Sequence, residues 1–547
     1  MKLKKTTSIV GIALLTTFTL AACGKKADNT SSYSDKQTLN WTESAMISTQ
    51  DPSLATDTTS FNTLLNTQEG LYRLGKNQKP ELALATKAKV SADGKTYDFT
   101  LRKGVKWSNG DTLTAQDFVY AYQRTVDPKT KSSMAFYLYQ IENAKAINQS
   151  EKAVNTLGVK ALDDYHLQIK LTKPVPYFKT LLAFPLFFPQ NENAVKKFGD
   201  KYGTQAKYQV FLGPYRLTKW TGSNKKWTLV KNNTYWDKKN VHLKEINSLV
   251  TESTTTSYNL FQSNKADETL LSGAQVAANK NNEAYHQRKA SAIQRLELNQ
   301  TKVEAFKNLK LRKAISLAIN RQSLTNNVLK DGSVPAKGFV PSGMGENPKT
   351  GQAFQDEAYV KAGVAYNLKE AKKLWQEGLK EEGLDSLTVT LSVSDTDSAK
   401  QVAEFLQSQL AKLDGLKIEV QSLPYTQLIA RQSASDYDMT VKNWQAILAD
   451  PINFLDVFEK GSSYNTSGYD STEFNRLLTE AEDTYANQPE KRWQALVKAE
   501  KVLMNEQGTI PLFQVAKPQL LRTNVKNVLY NPVGCPYDFK EAYIANK

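Results

Sequence analysis

The hydrophobic pattern between residues 387 and 441 restricts the fold more than any other feature of this 547-residue chain. Segments 387–393, 416–420 and 437–441 alternate apolar and polar residues, which is typical of β-strands. Segments 402–413 and 425–434 lie between them and repeat apolar residues at helical spacing. Strands that alternate with helices in this way predict a parallel sheet with right-handed crossovers. We therefore expect an α/β fold.

A second informative stretch runs from Leu82 to Arg124. Two short strands are predicted on either side of a turn at Asp93-Gly94, because apolar residues return with period two after it. Thr114 then stands where a helix N-cap is expected, and Asp117 follows three residues later. On periodicity alone this is a strand–strand–helix unit.

The order of residues in this stretch carries more information than its periodicity. Residues 93–119 read D-G-x-x-Y-x-F-x-L-R-x-G-V-K-W-S-N-G-D-x-L-T-A-x-D-F-V, and they resemble the signature region of the family 5 extracytoplasmic solute-binding proteins. Residues 213–217 and 229–237 resemble two further segments of that family, G-x-Y-x-L and L-x-x-N-x-x-Y-W-D. The resemblance implies a binding protein with a two-lobe clamshell, an extra inserted subdomain, and mixed sheets with helices on both faces.

The chain is long enough for two or three domains. It is predicted to leave its first lobe and return to it, since the strand pattern near residues 509–513 follows two amphipathic helices. We assign residues 38–80, 205–300 and 506–547 to the core of lobe I, residues 81–204 to the inserted subdomain, and residues 301–505 to lobe II. Two lobes joined by crossing segments have the geometry of a hinge.

The first residues predict export and a lipid anchor. Lys2, Lys4 and Lys5 precede an apolar run that is too short for a comfortable membrane span. The run ends at Leu-Ala-Ala-Cys-Gly, which resembles a bacterial lipobox, so residues 1–22 are predicted to be a lipoprotein signal peptide and Cys23 the lipidated residue. Residues 23–37 are polar, which is typical of a flexible tether. We expect the body on the outer face of the cytoplasmic membrane, in a Gram-positive cell.

Charge and cysteine content fit this location. The net charge is +16, and because the signal carries three lysines and no acid, the mature chain carries 16 − 3 = +13. The lysines are spread along the chain rather than clustered, so we expect a solvated surface facing anionic envelope polymers and no nucleic-acid partner. With Cys23 acylated, Cys535 has no partner for a disulfide and is predicted to be a buried thiol.

The sequence contains no recognisable catalytic or metal-binding motif. Its three histidines, His166, His242 and His286, have neither H-E-x-x-H nor paired metal spacing. G-x-S-x-G is absent, and Cys535 has no evident histidine partner. We therefore expect neither enzymatic activity nor a cofactor.

The binding site is predicted where the third strand of the α/β pattern ends, because open α/β sheets bind ligands at the carboxyl ends of their strands. In the family this strand lines the cleft, and its backbone pairs with the bound peptide like an added strand. The predicted first strand, residues 39–47, faces it. The predicted contact residues are Glu43, Ser44, Ala45, Met46, Asn443, Trp444, Gln445, Ala446, Ile447 and Asp450. The alternative is that Trp444 belongs to the core and Asn443 to a turn.

One position departs from the family. Oligopeptide binders commonly read W-x-x-D-Y-x-D-P, and the Asp after the Trp pairs with the α-ammonium of the peptide; here Ile447 occupies that place and only Asp450-Pro451 is kept. Three hypotheses follow. Asp450 or Glu43 takes over the role, the peptide binds in a shifted register with its N-terminus in water, or the ligand has no free amine.

The resemblance implies a monomeric, lipid-anchored component of an ABC importer. It would close on an oligopeptide and deliver it to a membrane permease driven by ATPase subunits. Two alternatives keep the same fold: a protein that binds another small ligand, and a surface receptor that senses a peptide signal without transport.

Overall fold

The computed structural model describes residues 33–251 and 253–546. Lobe I is built on a four-stranded sheet in which the first strand pairs in parallel with the second and the remaining pairs are antiparallel. Its strands, in spatial order, are Thr38–Glu43, Glu245–Val250, Lys226–Lys231 and Tyr215–Thr218. Its helices are Thr58–Thr67, Thr254–Gln262 and Ala274–Asn279.

The inserted subdomain, called the insert below, is an antiparallel sheet covered by short helices. Its strands, in spatial order, are Ala85–Val90, Thr96–Leu101, His166–Lys170 and Val159–Asp163. Its helices are Ala115–Val126, Ala144–Asn148, Phe178–Leu181 and Glu192–Phe198. The predicted turn at Asp93-Gly94 is confirmed, with Gly94 at φ +70°. The predicted cap is also confirmed, because the Thr114 N–H donates to the Asp117 carboxylate at 2.8 Å.

Lobe II contains the parallel strands expected from the sequence. Leu387–Ser394 pairs in parallel with both Leu416–Leu423 and Met439–Gln445, which confirms the predicted strand type and order. Apolar faces of the helices cover this sheet and bury Trp375 and Leu406 completely. The α-helices of this lobe are Leu309–Ala318, Arg321–Ser323, Phe354–Glu357, Lys361–Val364, Leu368–Glu381, Asp397–Leu410, Tyr425–Ser433, Ile452–Leu455, Thr472–Thr479 and Pro489–Asn505.

Two long strands, Tyr285–Leu298 and Ile510–Leu521, connect the lobes and are called the crossing strands. They pair with each other, and Glu268–Leu270 of lobe I joins one end of the second. Met439–Gln445 of lobe II pairs with the other end of the first. One seven-stranded sheet, which also includes Val334–Pro335, therefore runs through both lobes.

The ladder between the crossing strands is interrupted in the middle. Pairing shifts between Lys289 and Ile293, so residues 290–292 oppose the single residue Val515. Such an irregularity bends a strand locally. The predicted boundary between the lobes lies at residues 300/301, whereas this strand already joins the lobe II sheet at Ala292. This continuous 14-residue strand contains no turn residues, so its crossing from lobe I to lobe II could not be recognised from the sequence.

Small two-stranded ladders complete the described fold. They pair Tyr72–Leu74 with Pro80–Leu82, Val525–Lys526 with Tyr543–Ile544, and Leu529–Tyr530 with Tyr537–Asp538. Cys535, between the last two strands, is buried as predicted, and its thiol donates to the Phe61 carbonyl at 3.4 Å.

The N-terminal end of the described chain is attached to this C-terminal region. The Ser34 N–H and the Gln37 side-chain amide both donate to the Ile544 carbonyl at 2.8 Å. The ring of Tyr33 stacks on His242 with 4.8 Å between centroids. Residues 33–37, predicted as the end of the tether, are therefore part of the folded body. Cys23 and the predicted signal peptide lie outside the described residues.

Candidate functional site

The candidate site is built on Met439–Gln445, called the site strand. One edge of this strand is paired with another strand along only part of its length. The site strand pairs along its whole length with a crossing strand, from Met439 opposite Leu298 to Gln445 opposite Ala292. On its other edge, the strand Leu387–Ser394 pairs only with Met439 and Thr440. The Val441 carbonyl accepts a hydrogen bond from the Gln432 side chain at 3.3 Å. Beyond that point no strand covers this edge among the described residues.

Two of the predicted contact residues, Asn443 and Gln445, have backbone N–H and C=O groups that point to this free edge. The Ala446 N–H donates to the Ser291 carbonyl of the crossing strand at 2.9 Å. Hydrogen-bonded pairs alternate along an antiparallel ladder, so Trp444 and Lys442 also bond to the crossing strand. The N–H and C=O groups of Asn443 and Gln445 consequently point the other way, to the edge without a partner. Both side chains are exposed.

Trp444 combines the two roles that the sequence left open. Its indole N–H donates to the Asn453 carbonyl at 2.6 Å, and the ring packs partly against the lobe II core. The same ring meets Tyr464 edge to face with 4.8 Å between centroids, and Tyr464 is 54% exposed. Trp444 is therefore a half-buried side chain that supports an aromatic surface.

The chain after the site strand is apolar and close to lobe I. Ala446 is buried, and the Ile447 N–H donates to the Asn453 side chain at 2.9 Å. Ile447 packs against the insert core and, with Phe184, lines a small cavity. A Cβ on Gly534 would come within 3.2 Å of the Ile447 carbonyl, so the backbones approach closely. The position at which the family places a carboxylate is thus an apolar contact between lobes.

Asp450 is already occupied by a cation. Arg492 binds its carboxylate through two nitrogens, each at 2.9 Å, and also binds Glu482 at 2.7 Å. Burial acts to lower the pKa of Arg492, but Asp450 and Glu482 raise it above its ordinary value. Two charge-assisted hydrogen bonds to a guanidinium leave Asp450 poorly placed to bind a second cation.

The other predicted group, Glu43 to Met46, lies on lobe I. The first strand ends at Glu43 rather than extending to residue 47, because its partner strand ends opposite it, at Val250. Ser44, Ala45 and Met46 follow as exposed residues outside the strand. Within the described chain, no hydrogen bond or ion pair connects them or Glu43 to residues 443–450.

Glu43 is half-buried, and this burial together with the charge of Glu268 raises its pKa to about 8. Glu268, whose pKa is itself raised to about 7 by burial, accepts hydrogen bonds from the Thr42 N–H at 3.2 Å and from the Gln519 amide at 2.8 Å. Gln519 belongs to a crossing strand. Glu43 therefore lies where lobe I joins the strands that lead to lobe II.

The raised pKa of Glu43 predicts a pH dependence of stability. Between pH 4.5 and 8 the folded protein keeps this carboxyl protonated while the unfolded chain ionises it, so stability falls as pH rises through that interval. We expect Glu43→Gln to remove about 1–2 kcal/mol of this decline, after allowance for partial exposure. Thermal midpoints from pH 4.5 to 8.5 measure it. Glu304→Gln, at an exposed carboxylate paired with Lys307, is the control and should keep the parental slope.

The lobes contact each other on two sides of the site. On one side, the Asn487 amide donates to the Asp93 carbonyl at 2.7 Å, and Lys173 pairs with Asp483 at 2.8 Å. On the other, the Gln78 amide donates to the Gly343 carbonyl at 3.1 Å. The two lobes therefore contact each other on both sides of the site in this structure.

A cavity of about 490 Å³ lies elsewhere, in lobe I beneath the hairpin Tyr72–Leu82. Arg73 and Asp538 line it and bond to each other at 2.6 Å. Lys540 lines it too and bonds to Asp237 at 2.7 Å. Because these charges are already paired, we do not place the ligand there.

Two kinds of residue near the site were not predicted from the sequence: those of the crossing strand that bond to the site strand, and those of the insert that contact lobe II. Glu297 of a crossing strand bonds to Lys442 of the site strand at 2.9 Å, and the Tyr177 hydroxyl of the insert donates to the Glu482 carboxylate of lobe II at 3.5 Å. Lys442 lies inside the segment that the sequence singled out. Tyr177 is far from it in the chain and had no local signal.

Comparison with known proteins identifies the family. Residues 79–466 match the description bacterial extracellular solute-binding proteins, family 5 middle. The chain belongs to this family.

Family 5 relatives resemble the chain over nearly its whole length. It is 33% identical to the "Dipeptide-binding protein" of Lactococcus lactis subsp. cremoris (strain MG1363), with 100% of both chains covered. The structure of "Listeria monocytogenes OppA bound to peptide" is 39% identical, with 94% of this chain and 100% of that chain covered and a TM-score of 0.75. The same identity, coverage and TM-score describe an "oligopeptide ABC transporter from Bacillus anthracis str. Ames (substrate-binding domain)".

Membership of family 5 confirms the two-lobe fold predicted from the sequence. The family consists of bacterial extracellular solute-binding proteins. That family role accords with the expected absence of catalysis. Among the described residues, no helix is both long enough and apolar enough to span a membrane.

Proposed function

We propose that this protein is the oligopeptide-binding component of an ABC importer. The observation that carries the proposal is the free edge of the site strand, where the backbone groups of Asn443 and Gln445 have no partner strand. An extended peptide can add to such an edge as a further strand. The relatives named above support a ligand of this class: one is named a dipeptide-binding protein, one was solved bound to peptide, and one is the substrate-binding domain of an oligopeptide ABC transporter.

Binding through the backbone supports tolerance of many peptide sequences. Main-chain hydrogen bonds are the same for every residue, so affinity comes from the strand while side chains project into the space beside it. The exposed residues Ser44, Ala45 and Met46 form the proposed opposing surface on lobe I, with Glu43 at its edge. On lobe II, Trp444 borders the free edge, whereas the other predicted contacts, Ala446, Ile447 and Asp450, already bond or pack within the protein.

The proposed mechanism is closure around the ligand. A peptide that touches both lobes has more contacts in the closed state, so it shifts the population toward that state. The irregular pairing at residues 290–292 is the proposed hinge, because it interrupts the ladder between the crossing strands where the first of them joins the site strand, at Ala292. The permease would then bind the closed form and receive the peptide.

The finer features of location are also proposals. We propose that Cys23 is the lipidated N-terminus of a monomeric mature protein, on the outer face of the cytoplasmic membrane of a Gram-positive cell. A multiply acylated cysteine supplies stable anchoring, because each buried methylene contributes about 0.8 kcal/mol. Metabolic labelling with a fatty-acid analogue tests the proposal, since Cys23→Ser should abolish labelling and release the protein from the membrane.

Native mass spectrometry of the protein purified from its own cells tests the ligand class. We expect a series of added masses that fragment as peptides of varied sequence. A single non-peptide adduct, or a protein that binds none of a mixed peptide library, would contradict the proposal and favour a selective small ligand.

A substitution in the site strand tests the backbone mode directly. Gln445→Pro removes an N–H that points to the free edge and leaves the hydrogen bonds to the crossing strand, so peptide affinity should fall about tenfold or more. Gln445→Ala is the matched control, because it removes the same side chain but keeps the N–H, and it should change affinity by less than about threefold. Calorimetric titration measures both. Equal losses in the two variants would show that the Gln445 side chain, rather than its backbone, binds the peptide.

A further inference from the structure

A small cavity lies between the lobes at the point where the chain leaves the site strand, and it is called the interlobe cavity. Its volume is about 20 Å³, which is enough for one group of the size of a water molecule. Ile447 and Leu448 line it from lobe II, two and three residues after the site strand ends. Most of the opposite wall is apolar and comes from lobe I and the insert, with Leu65, Phe184 and Val533 among its side chains. The cavity therefore lies at one end of the free strand edge.

Asn531 brings an unsatisfied oxygen atom to this apolar lining. The residue lines the cavity from lobe I and is only 2% exposed. Its side-chain N–H donates to the Cys535 carbonyl at 3.4 Å, which leaves Oδ1 as the free atom of the amide. Within residues 33–251 and 253–546, no group donates a hydrogen bond to this oxygen. Because a buried acceptor without a donor is unfavourable, Oδ1 needs a donor that the described protein does not supply.

Two further oxygen atoms belong to the same cavity. Thr180 lines it from the short helix Phe178–Leu181 of the insert, and its hydroxyl makes no hydrogen bond to any described residue. The Ile447 N–H donates to the Asn453 side chain at 2.9 Å, whereas the Ile447 carbonyl accepts no hydrogen bond from the described part of the chain. This carbonyl faces Gly534, another residue of the lining, because a Cβ added there would come within 3.2 Å of its oxygen.

The charges beside the cavity favour a cation. Asp538 lines the cavity and bonds to Arg73 at 2.6 Å. Arg73 also bonds to Glu69 at 3.0 Å, so two carboxylates share one guanidinium group. The cluster thus carries one negative charge in excess, which stabilises a positive charge next to it. None of the described residues that line the cavity is a lysine, an arginine or a histidine.

We propose that the interlobe cavity binds the terminal amino group of the peptide, with Asn531 Oδ1, Thr180 Oγ1 and the Ile447 carbonyl as its acceptors. The inference deepens the proposed function and rests on it. An ammonium group has three N–H donors and about the size of a water molecule, so it matches both the three acceptors and the volume. An acylated terminus is larger and has a single N–H. The peptide would begin beside Ile447 and run back past Gln445, antiparallel to the site strand.

Three peptides that differ only at the first nitrogen test this assignment. They are penta-alanine, N-acetyl-penta-alanine, and propionyl-tetra-alanine, which is penta-alanine without its amino group. Calorimetric titration should show that free penta-alanine binds about tenfold or more tightly than the propionyl peptide, because the latter lacks hydrogen bonds from a charged group. The acetylated peptide should bind no better than the propionyl peptide, since the acetyl group exceeds the cavity. Equal affinities of the free and propionyl peptides would show that the cavity holds only water and would overturn the inference.

Two substitutions of Asn531 should change this preference in opposite directions. Asn531→Leu removes the oxygen at similar volume and should reduce the preference for the free amine to less than about threefold. Asn531→Asp adds a negative charge and should increase it by about tenfold or more. Asn327→Leu and Asn327→Asp, at an exposed residue of lobe II, are the matched controls and should leave it unchanged. The same preference in the Asn531 and Asn327 variants would contradict the inference.

Thr180→Val keeps the test decisive where Asn531→Leu does not fold. Valine has nearly the shape of threonine without its hydroxyl, so the preference for the free amine should fall about threefold or more. Each preference is a ratio of two affinities within one variant, so a general loss of stability does not imitate the effect. Thermal midpoints establish which variants fold. A folded Thr180→Val with the parental preference would remove Thr180 from the assignment.

The pH dependence of binding supplies a readout that a structural role of Asn531 would not change. The ordinary pKa of a peptide α-amino group is about 8, so free penta-alanine should lose affinity as pH rises through that value. The propionyl peptide has no amino group and should keep its affinity. Parallel profiles for the two peptides would contradict the inference while leaving peptide binding intact. A protein that binds none of the three peptides would overturn the proposed function and this inference together.

Discussion

Arg73→Met is expected to destabilise the protein by about 3–5 kcal/mol, because it leaves two buried carboxylates without their cation. Arg73 bonds to Asp538 at 2.6 Å and to Glu69 at 3.0 Å, and both acids are almost completely buried. Burial acts to lower the pKa of Arg73, but Asp538 and Glu69 raise it well above its ordinary value. This cluster joins the start of lobe I to its C-terminal return, so its loss affects both segments.

The urea midpoint at neutral pH measures this effect, and the chain offers a matched control. Arg476 also binds two carboxylates, Glu473 and Glu480, but its side chain is 50% exposed. Arg476→Met should cost less than about 1 kcal/mol, because exposed ion pairs contribute little. Similar losses in the two variants would show that burial of the Arg73 cluster is not what stabilises it.

Glu297→Gln is expected to cost a similar amount, about 3–5 kcal/mol, and also to weaken peptide binding. Glu297 accepts hydrogen bonds from Tyr437 at 2.6 Å, Lys442 at 2.9 Å and Arg295 at 3.0 Å. Although burial acts to raise it, Arg295 and Lys442 hold the pKa of Glu297 below its usual value. The neutral amide leaves buried Arg295 and half-buried Lys442 without their anionic partner. Lys442 belongs to the site strand.

Stability and affinity are measured separately for this variant. Glu419→Gln is the matched control, because Glu419 also pairs with a cation two residues away on a strand, Lys417, but on an exposed surface. The lowered pKa adds a pH signature. The contribution of Glu297 is present above pH 4.5 and is lost as pH falls through its folded pKa, so the difference between parent and variant should shrink in acid. A constant difference at all pH values would contradict the role of its charge.

The sequence predicted local structure well where periodicity and turn chemistry act over short distances. The hairpin at Asp93-Gly94, the cap at Thr114 and the parallel strands from Leu387 to Gln445 all depend on neighbours within about ten residues. The lobe boundary is different, because strand pairing decides it. Nothing in the sequence around residue 290 distinguishes a strand that changes lobe from one that stays in its lobe.

The site was predictable in part for the same reason. Asn443 and Gln445 could be located because they follow a recognisable strand, and the structure gives them a free backbone edge. The ion pair between Asp450 and Arg492 joins residues 42 positions apart, and Tyr177 of the insert donates a hydrogen bond to Glu482 of lobe II at 3.5 Å. Such partnerships depend on the folded chain, so the sequence could suggest Asp450 as a free carboxylate but not reveal its partner.

The free edge of the site strand has a consequence for the empty protein. Exposed strand edges are templates for other chains, and proteins commonly protect them by keeping them short or charged. Here the uncovered segment is brief and polar, and Lys442 is turned inward to Glu297. A ligand that fills the edge would also shield it, so peptide-loaded protein should resist self-association during storage or heating better than protein stripped of ligand. The bound peptide would then protect its own binding protein from aggregation.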